Sequence, residues 1–137
     1  MAIQRTLVIL KPDAVWMALQ VAIKKRYLQA GLHIVTEREV RLTLRQASEL
    51  YREHAAKPVF AGLILATASG PIEALEIMGE NCIQRVRELN GHADPQVARP
   101  GTIRHDFKSA GGPYNMVHAS DSPESAAREL ALAQTWV

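Results

Sequence analysis

The run Thr6-Leu-Val-Ile-Leu10 leads directly into Lys11-Pro12-Asp13, and the rest of the chain can be read outward from this junction. The first part is apolar and rich in β-formers, which predicts a buried strand. The strand should stop here, because Pro12 disfavours helix at the residue before it and cannot donate a hydrogen bond to a sheet. We therefore expect Lys11 at the C-terminal end of a strand, a common place for ligand contacts. A solvated strand-end lysine is the competing interpretation.

Helix-like and strand-like segments alternate after this junction. A helix is predicted first, because Leu19, Ile23, Tyr27 and Ala30 form one apolar stripe, and Gly31 suits the position after its end. The next elements are a strand from Leu32 to Val35 extended by Val40 and Leu42, a helix capped by Thr43 and ended by Lys57-Pro58, a stretch from Val59 to Thr67 that fits helix or strand, a strand from Ile72 to Met78, and a helix capped by Asn81 and ended by Gly91.

The stretch Asn115-Met-Val-His118-Ala-Ser-Asp-Ser122 places one histidine just after a short apolar segment. Ser122 and Pro123 then form a strong helix start. The predicted helix continues to Leu130 and leaves 131–137 as a short tail. A histidine in this position can be held rigidly, and the helix N-terminus attracts anions. On chemistry alone, an ordinary surface or core histidine remains the more frequent case.

Residues 92–114 show little periodicity and many prolines and glycines. A loop of this length is usually functional or disordered. Its charged residues make an anion-binding loop and a solvated loop equally reasonable. The histidines and aspartates in it do not follow a compact zinc spacing, which argues against a metal site built from protein side chains alone. The charged residues on which the anion-binding interpretation rests are Arg99, Arg104, His105, Asp106 and Lys108.

Bulk properties predict a single domain over residues 1–137. The chain is 47% hydrophobic and 22% charged, which is ordinary for a soluble globular protein. No apolar run approaches the roughly 20 residues that span a bilayer, and the N-terminus lacks signal-peptide order. With a single cysteine, Cys82, we expect a cytoplasmic protein. A net charge of +2 argues against a dedicated nucleic-acid binder.

The order of elements, β-α-β-α-β-α-loop-β-α, predicts an α/β sandwich with helices on one face of a mainly antiparallel sheet. It does not predict a parallel sheet of alternating strands and helices. The chain contains no glycine-rich phosphate-binding loop of the Walker or dinucleotide type. A bound nucleotide would therefore have to be held by side chains.

Several short motifs occur in one order over nearly the whole chain, from about Arg5 to Leu132. The motifs are Arg5-Thr-Leu7 leading into Lys11-Pro-Asp-Ala-Val15; Tyr51-Arg-Glu-His54, Lys57-Pro58 and Phe60-Ala-Gly-Leu63; Ser69-Gly-Pro71; Gly79-Glu-Asn81; Pro100-Gly-Thr-Ile-Arg104 with Asp106-Phe107; and Asn115-x-x-His118-x-Ser-Asp-Ser122 with Pro123-Glu-Ser-Ala126. In this combination they resemble the nucleoside diphosphate kinase family.

The resemblance implies a ferredoxin-like fold, in which helices pack on a four-stranded antiparallel sheet. It also implies a homo-oligomer, tetramer or hexamer. The implied reaction moves the γ-phosphoryl group of a nucleoside triphosphate to a nucleoside diphosphate. It is a ping-pong reaction through a phosphohistidine, with Mg²⁺ bound through the nucleotide phosphates. The chemistry agrees, because phosphoryl transfer needs mainly positioning and charge neutralisation.

The resemblance also assigns roles to individual residues. His118 matches the nucleophile, and Glu129 the carboxylate that holds the histidine ring. Lys11 is expected to serve both catalysis and phosphate binding. The positions expected to bind the nucleotide are Lys11, Tyr51, Val59, Leu63, Arg87, Ala93, Arg104 and Asn115.

Some positions depart from the family pattern. Val59 replaces an aromatic residue that stacks on the base, which predicts binding weaker by about 1–3 kcal/mol. Ala93 replaces a threonine whose hydroxyl would contact phosphate. In the segment Trp16–Val21, Met17 and Val21 replace an arginine and a glycine, and the loop 108–114 is one residue longer. These departures leave an alternative open, a catalytically weak nucleotide-binding or scaffolding member of the same fold.

Overall fold

The computed structural model describes residues 2–107 and 114–136. Within these ranges there are four strands and seven α-helices, with one or two α-helices after each strand and one short 3-10 helix at Arg52–His54. Their bounds are β1 Ile3–Leu10, α1 Pro12–Trp16, α2 Gln20–Gln29, β2 His33–Val40, α3 Leu44–Leu50, α4 Phe60–Thr67, β3 Ile72–Glu80, α5 Cys82–Asn90, α6 Ile103–Asp106, β4 Val117–Ala119 and α7 Pro123–Ala133.

The four strands form one antiparallel sheet in the order β2-β3-β1-β4. Strand β1 lies inside the sheet, where it pairs with β3 over its whole length and with β4 near its C-terminal end. This is the ferredoxin-like α/β arrangement that the family resemblance implies, and that prediction is confirmed. The end of β1 and the short strand β4 therefore lie side by side.

Helices cover both faces of this sheet, so the prediction of helices on one face only is wrong. Leu7 and Ile9 point into a core with α3, α4 and α7, whereas Val8 and Leu10 point into a second core with α2 and α5. The physical reason is visible in the run from Leu7 to Leu10. A strand that is apolar at every position is buried on both faces, whereas a strand with one wet face alternates.

Two of the three predicted helix caps are confirmed. Thr43 accepts a hydrogen bond from the Gln46 amide in a reciprocal capping box, and Ser122 accepts one from the Ser125 amide. Asn81 is the exception. It precedes α5 in the left-handed conformation with φ +53°, and its side chain makes no capping hydrogen bond. Asparagine tolerates this backbone conformation better than most residues, which explains its presence there.

Two helix ends differ from the sequence prediction, those placed at Lys57-Pro58 and at Leu130. The stretch from Val59 to Thr67, which fitted helix or strand, contains helix α4. Helix α3 ends at Leu50, so His54 lies in the separate 3-10 turn. Helix α7 continues to Ala133, and the residue that follows shortly after it, Trp136, is buried. The predicted tail is therefore part of the core.

Two short helices were not predicted. Pro12 begins α1, because a proline is tolerated at the first helical position even though it ends the strand before it. Thr102 caps α6 within the long loop. None of the helices described for residues 2–107 and 114–136 combines the length and apolar character that crossing a membrane requires. Lys108 and the predicted loop lengthening fall mainly in 108–113, outside the described residues.

Candidate active site

An open cavity of about 1310 Å³ lies where the C-terminal end of β1 meets β4, α3, α5 and the long loop. The structure brings all the predicted site residues together around it, although the sequence separates them by more than a hundred positions. Those that line the cavity are Lys11, Tyr51, Val59, Leu63, Arg87, Ala93, Arg104, Asn115, His118 and Glu129.

His118 stands on β4, where it pairs with Ile9 of the central strand. Its Nε2 atom lies 2.7 Å from Oε1 of Glu129, in the second turn of α7. Ser120 donates a hydrogen bond from its hydroxyl to the same carboxylate oxygen at 2.9 Å. Within the described ranges, no hydrogen bond engages Nδ1 of His118. The ring is therefore fixed through one nitrogen, while the other is left with a free lone pair.

Ser120 thus belongs to the site, although its position in the sequence predicts no role for it beyond the motif. Its hydroxyl also accepts from the Leu7 amide at 3.4 Å, and the residue is fully buried. The serine therefore ties the Glu129 carboxylate back to the central strand. Only the folded chain reveals this link, because Leu7 is more than a hundred residues away.

Tyr51 packs against the nucleophile candidate from a second side. Its ring lies edge-on to the His118 imidazole, with 5.2 Å between centroids. Burial raises the pKa of Tyr51 to about 12, so its phenol stays protonated at neutral pH. Arrangements of this kind between aromatic rings are favourable. The tyrosine therefore restricts the ring of His118, in addition to any contact with a nucleotide.

Lys11 and Asn115 form a pair beside this histidine. The Lys11 ammonium donates to Oδ1 of Asn115 at 3.0 Å, and the Asn115 amide donates to the Ala93 carbonyl at 3.0 Å. Lys11 is almost completely buried. Burial lowers the pKa of its ammonium to about 8, with a smaller contribution in the same direction from Arg104 and an opposing one from Asp13. A lysine in this state carries its charge at neutral pH but loses it under mildly alkaline conditions.

We expect nucleotide affinity to fall as the pH rises through about 8. The Lys11 ammonium attracts phosphate, and bound phosphates favour its protonated form. With a pKa of about 8 in the free protein, ADP should bind about tenfold more weakly at pH 9 than at pH 7. Calorimetric titration with ADP and Mg²⁺ at several pH values in this range measures how steeply the ADP affinity falls with pH. Lys11→Arg keeps its charge at pH 9, so an equal slope in that variant would assign the effect to another group.

Arg104 anchors the backbone around the site. Its Nη1 atom donates to the Gly91 carbonyl at 2.7 Å, Nη2 to the Val117 carbonyl at 2.7 Å, and Nε to the Asn115 carbonyl at 3.2 Å. Burial lowers its pKa from the ordinary value. A guanidinium has five N–H groups. These three bonds leave donors for a phosphate, so the residue can serve both the fold and a ligand.

The remaining predicted residues stand around the cavity rim. Arg87 is exposed on α5, which suits a cation that meets a polyphosphate. Ala93 contributes its carbonyl to Asn115, as described above, but no side-chain donor. Val59 is 42% exposed just before α4, and Leu63 follows one turn later. Val59 and Leu63 thus give the cavity apolar side chains, whereas Arg87 gives it a cation.

His54 and Lys57 also line the cavity, though no role was predicted for either. Nδ1 of His54 lies 2.9 Å from the Lys57 ammonium. Burial, and then the Lys57 charge, lower the pKa of His54. The two residues stand inside the motif that begins at Tyr51, which was the available signal. Within residues 2–107 and 114–136, no three His, Cys, Asp or Glu side chains are grouped to hold a metal.

The departures after Val15 lie away from the cavity. Trp16 is 88% exposed and Val21 is 78% exposed, and Met17 is also exposed. None of the three lines the site. The replacements in this segment therefore change the outer surface and leave the cavity residues unchanged.

The fold and the site together define a ferredoxin-like α/β protein with a carboxylate-held histidine in a cavity that Lys11, Arg87 and Arg104 also line. The family model described as "Nucleoside diphosphate kinase" matches residues 4–135. A nucleoside diphosphate kinase of Rhodospirillum centenum is 44% identical over 131 residues, covering 96% of this chain and 93% of the relative. The chain belongs to the nucleoside diphosphate kinase family, which confirms the resemblance seen in its motifs.

Solved structures agree with this assignment. The nucleoside diphosphate kinase of Aquifex aeolicus superposes with a TM-score of 0.92 at 39% identity, covering 96% of this chain and 95% of that one. A halophilic nucleoside diphosphate kinase from Halobacterium salinarum, solved in complex with CDP, gives a TM-score of 0.90 at 36% identity, with 99% and 92% covered. The similarity thus extends over nearly the full length of each chain.

Proposed function

We propose that this protein transfers the γ-phosphoryl group of a nucleoside triphosphate to a nucleoside diphosphate through a phosphohistidine at His118. One observation carries the proposal. Nε2 of His118 is held by Glu129 at 2.7 Å, while Nδ1 carries no hydrogen bond within the described ranges and the residue lines the cavity. A neutral imidazole with one free nitrogen is a nucleophile at pH 7 and needs no separate base.

The transfer occurs in two displacement steps. In the first, the Nδ1 lone pair forms a bond to the γ-phosphorus, the bond to the bridging β–γ oxygen breaks, and the diphosphate leaves with that electron pair. The ring becomes cationic, and Glu129 stabilises it through the hydrogen bond to Nε2–H. In the second, a terminal oxygen of another diphosphate attacks the phosphohistidine, and the electron pair returns to Nδ1. The same bond types are exchanged in both directions, so the reaction is near balance.

Positive charge around the cavity supports the phosphate part of this proposal. Lys11, Arg87 and Arg104 all line it and can neutralise charge on the transferring oxygens. Arginine additionally offers paired N–H donors to phosphate. With these groups in place, Lys11 serves catalysis by stabilising charge that develops on the leaving oxygens.

We assign Mg²⁺ as the cofactor, bound through the nucleotide phosphates. The described residues offer no cluster of carboxylates and imidazoles that would hold a metal alone. Mg²⁺ commonly binds substrate phosphates with few protein ligands and several waters. It would supply charge neutralisation on the β- and γ-phosphates, while the protein's own cations hold the remaining oxygens.

The base is proposed to lie between Val59 and Leu63 at the apolar rim. We expect Val59→Phe to tighten ADP binding about fivefold or more, since stacking on an aromatic ring contributes about 1–3 kcal/mol per base. Calorimetry with ADP measures the change. Val97→Phe is the matched control, because Val97 also lines the cavity and is exposed. Unchanged or weaker binding in Val59→Phe would show that the base sits elsewhere.

Four further properties remain part of the proposal. We expect residues 1–137 to act as a single domain, since both cores share one sheet. A homo-oligomer, tetramer or hexamer, is expected from the family resemblance. A cytoplasmic location is expected from the composition of the chain and its single cysteine. The partners are nucleoside tri- and diphosphates. The alternative of a catalytically weak scaffolding member is not favoured, because every catalytic side chain expected from the motifs reaches the cavity.

The direct test uses ATP labelled at the γ-phosphate. In the presence of Mg²⁺, the protein should acquire an acid-labile, base-stable label, and an added nucleoside diphosphate should remove it as labelled triphosphate. A folded protein that takes no label would contradict the proposal. So would a label that remains on the protein after the diphosphate is added.

A further inference from the structure

The backbone just before His118 bends in a strained turn. Met116 has φ +73°, a conformation that is uncommon for a residue with a side chain. The Val117 amide donates to the Asn115 carbonyl at 2.8 Å, which closes a three-residue γ-turn around Met116. The form of this turn with positive φ at its centre is rare and strained. Such strain persists only where the surroundings hold it.

Both backbone polar groups of Met116 are held from the end of β1. The Met116 amide donates to Oδ2 of Asp13 at 3.0 Å, and its carbonyl accepts from the Lys11 amide at 2.8 Å. Asp13 lies in the first turn of α1, directly after the strand. The Met116 side chain is fully buried, so the turn cannot relax by swinging that side chain into solvent.

The turn connects the two groups that matter for the proposed reaction. At one end, the Asn115 side chain accepts from Lys11. At the other end, Val117 begins β4, and His118 follows it. Arg104 fixes the carbonyls on either side of Met116, those of Asn115 and Val117. A change of φ at Met116 would therefore move Asn115 and His118 relative to each other.

We propose that Asp13 is a positioning residue, whose carboxylate holds the γ-turn Asn115–Val117 in its strained form and so aligns Asn115 and His118. The inference rests on the proposed function, because alignment matters for phosphoryl transfer. It requires no contact between Asp13 and the nucleotide. Misplacement by about 1 Å can slow a reaction about 100-fold.

The first test compares Asp13→Ala with Asp13→Asn, which keeps an acceptor oxygen. Single-turnover labelling should be slowed about 10- to 100-fold in the alanine variant and stay within about threefold of wild type in the asparagine variant. ADP affinity should change less than the labelling rate. Hydrogen exchange of the Met116 amide, measured by NMR, should be slow in wild type and Asp13→Asn and faster in Asp13→Ala.

Glu124→Ala is the matched control, because Glu124 is an exposed carboxylate in the first turn of another helix. It removes a similar charge without touching the turn, so its labelling rate should be close to that of wild type. If Asp13→Ala does not fold, hydrogen exchange of the Met116 amide in wild type and in Asp13→Asn still tests the inference. A Met116 amide that exchanges without protection in wild type or in Asp13→Asn would overturn the inference.

A second test addresses the strain itself. Met116→Gly and Met116→Ala both remove the buried side chain, but only glycine adopts positive φ readily. Adding Asp13→Ala to the Met116→Ala protein should slow labelling by about tenfold or more. Adding it to the Met116→Gly protein should slow labelling by about threefold or less, because glycine needs no support in this conformation. Equal effects in the two backgrounds would contradict a role in holding the turn.

The two proposals fail in different ways. If wild type takes no label, the proposed function fails, while amide exchange at Met116 still tests the role of Asp13. If wild type is labelled and discharged normally but Asp13→Ala is labelled at the wild-type rate, the inference fails and the proposed function stands.

Discussion

His118→Ala is expected to abolish labelling by γ-labelled ATP and to lower turnover by at least about 10⁴-fold, as the loss of a covalent nucleophile does in other enzymes. The physical reason is that, among the described residues, no second nitrogen nucleophile is held as His118 is, by a carboxylate at 2.7 Å and by the ring of Tyr51. His54 lines the same cavity, but its Nδ1 already faces the Lys57 ammonium. Phosphoenzyme assays and steady-state turnover measure the two effects.

The alanine variant must be folded for this result to count. ADP affinity within about threefold of wild type would show that the nucleotide site persists, since binding depends mainly on the cations and the apolar rim. His105→Ala serves as a histidine control, because His105 pairs with Asp106 in the loop and does not line the cavity. Undiminished labelling of His118→Ala would refute the phosphohistidine mechanism.

Arg104→Ala is expected to impair both stability and turnover. It leaves the carbonyls of Gly91 and Val117 without the donor from Arg104, and the Asn115 carbonyl keeps only the Val117 amide. Each unsatisfied buried carbonyl costs about 1–3 kcal/mol, so the free energy of unfolding should fall by about 2–4 kcal/mol after partial relaxation. Turnover should fall about 100- to 1000-fold, because a charged donor to the reacting phosphate is also lost. Denaturant unfolding and steady-state kinetics measure the two losses separately.

Arg85→Ala is the control that separates the loss of stability from the loss of turnover. Arg85 stands on α5 and donates to the carbonyls of Glu80 and Ala30, outside the cavity. It should lose stability without a comparable loss of turnover. Arg104→Lys keeps the charge but not the three-way geometry, so it should fall between wild type and alanine. An Arg104→Ala protein with wild-type turnover would show that the residue serves the fold alone.

Much of the fold could be predicted from local patterns. The strand that ends at Leu10 follows from a continuous apolar run, and the strand near Ile77 could be predicted although two glutamates interrupt its apolar pattern. The helices that begin after Thr43 and Ser122 follow from their caps. Patterns failed where one residue type suits two conformations. Pro12 ends a strand and also begins a helix, and Asn81 adopts the left-handed backbone in place of capping with its side chain. Nothing in the local sequence chooses between these outcomes.

Some features of the site could likewise be predicted from the sequence, and others are visible only in the structure. The resemblance of the motifs to a known family predicted one site for Lys11, Arg104, His118 and Glu129, and all four line the cavity. The additional function of Arg104 could not, because its three carbonyl partners are backbone groups and leave no mark in the sequence. The same holds for the bond from Ser120 to Glu129, which depends on how β4 and α7 meet.

The sequence by itself determined the family, the chemistry of the site and most of the elements, because apolar period, caps and motif residues are local properties. The tertiary structure alone decided three things: that helices cover both faces of the sheet, that one cavity gathers all the predicted residues, and that Met116 is held in a strained turn. Each depends on contacts between distant segments. Asp13 and Met116 are 103 positions apart in sequence, yet 3.0 Å separates the carboxylate of one from the amide of the other.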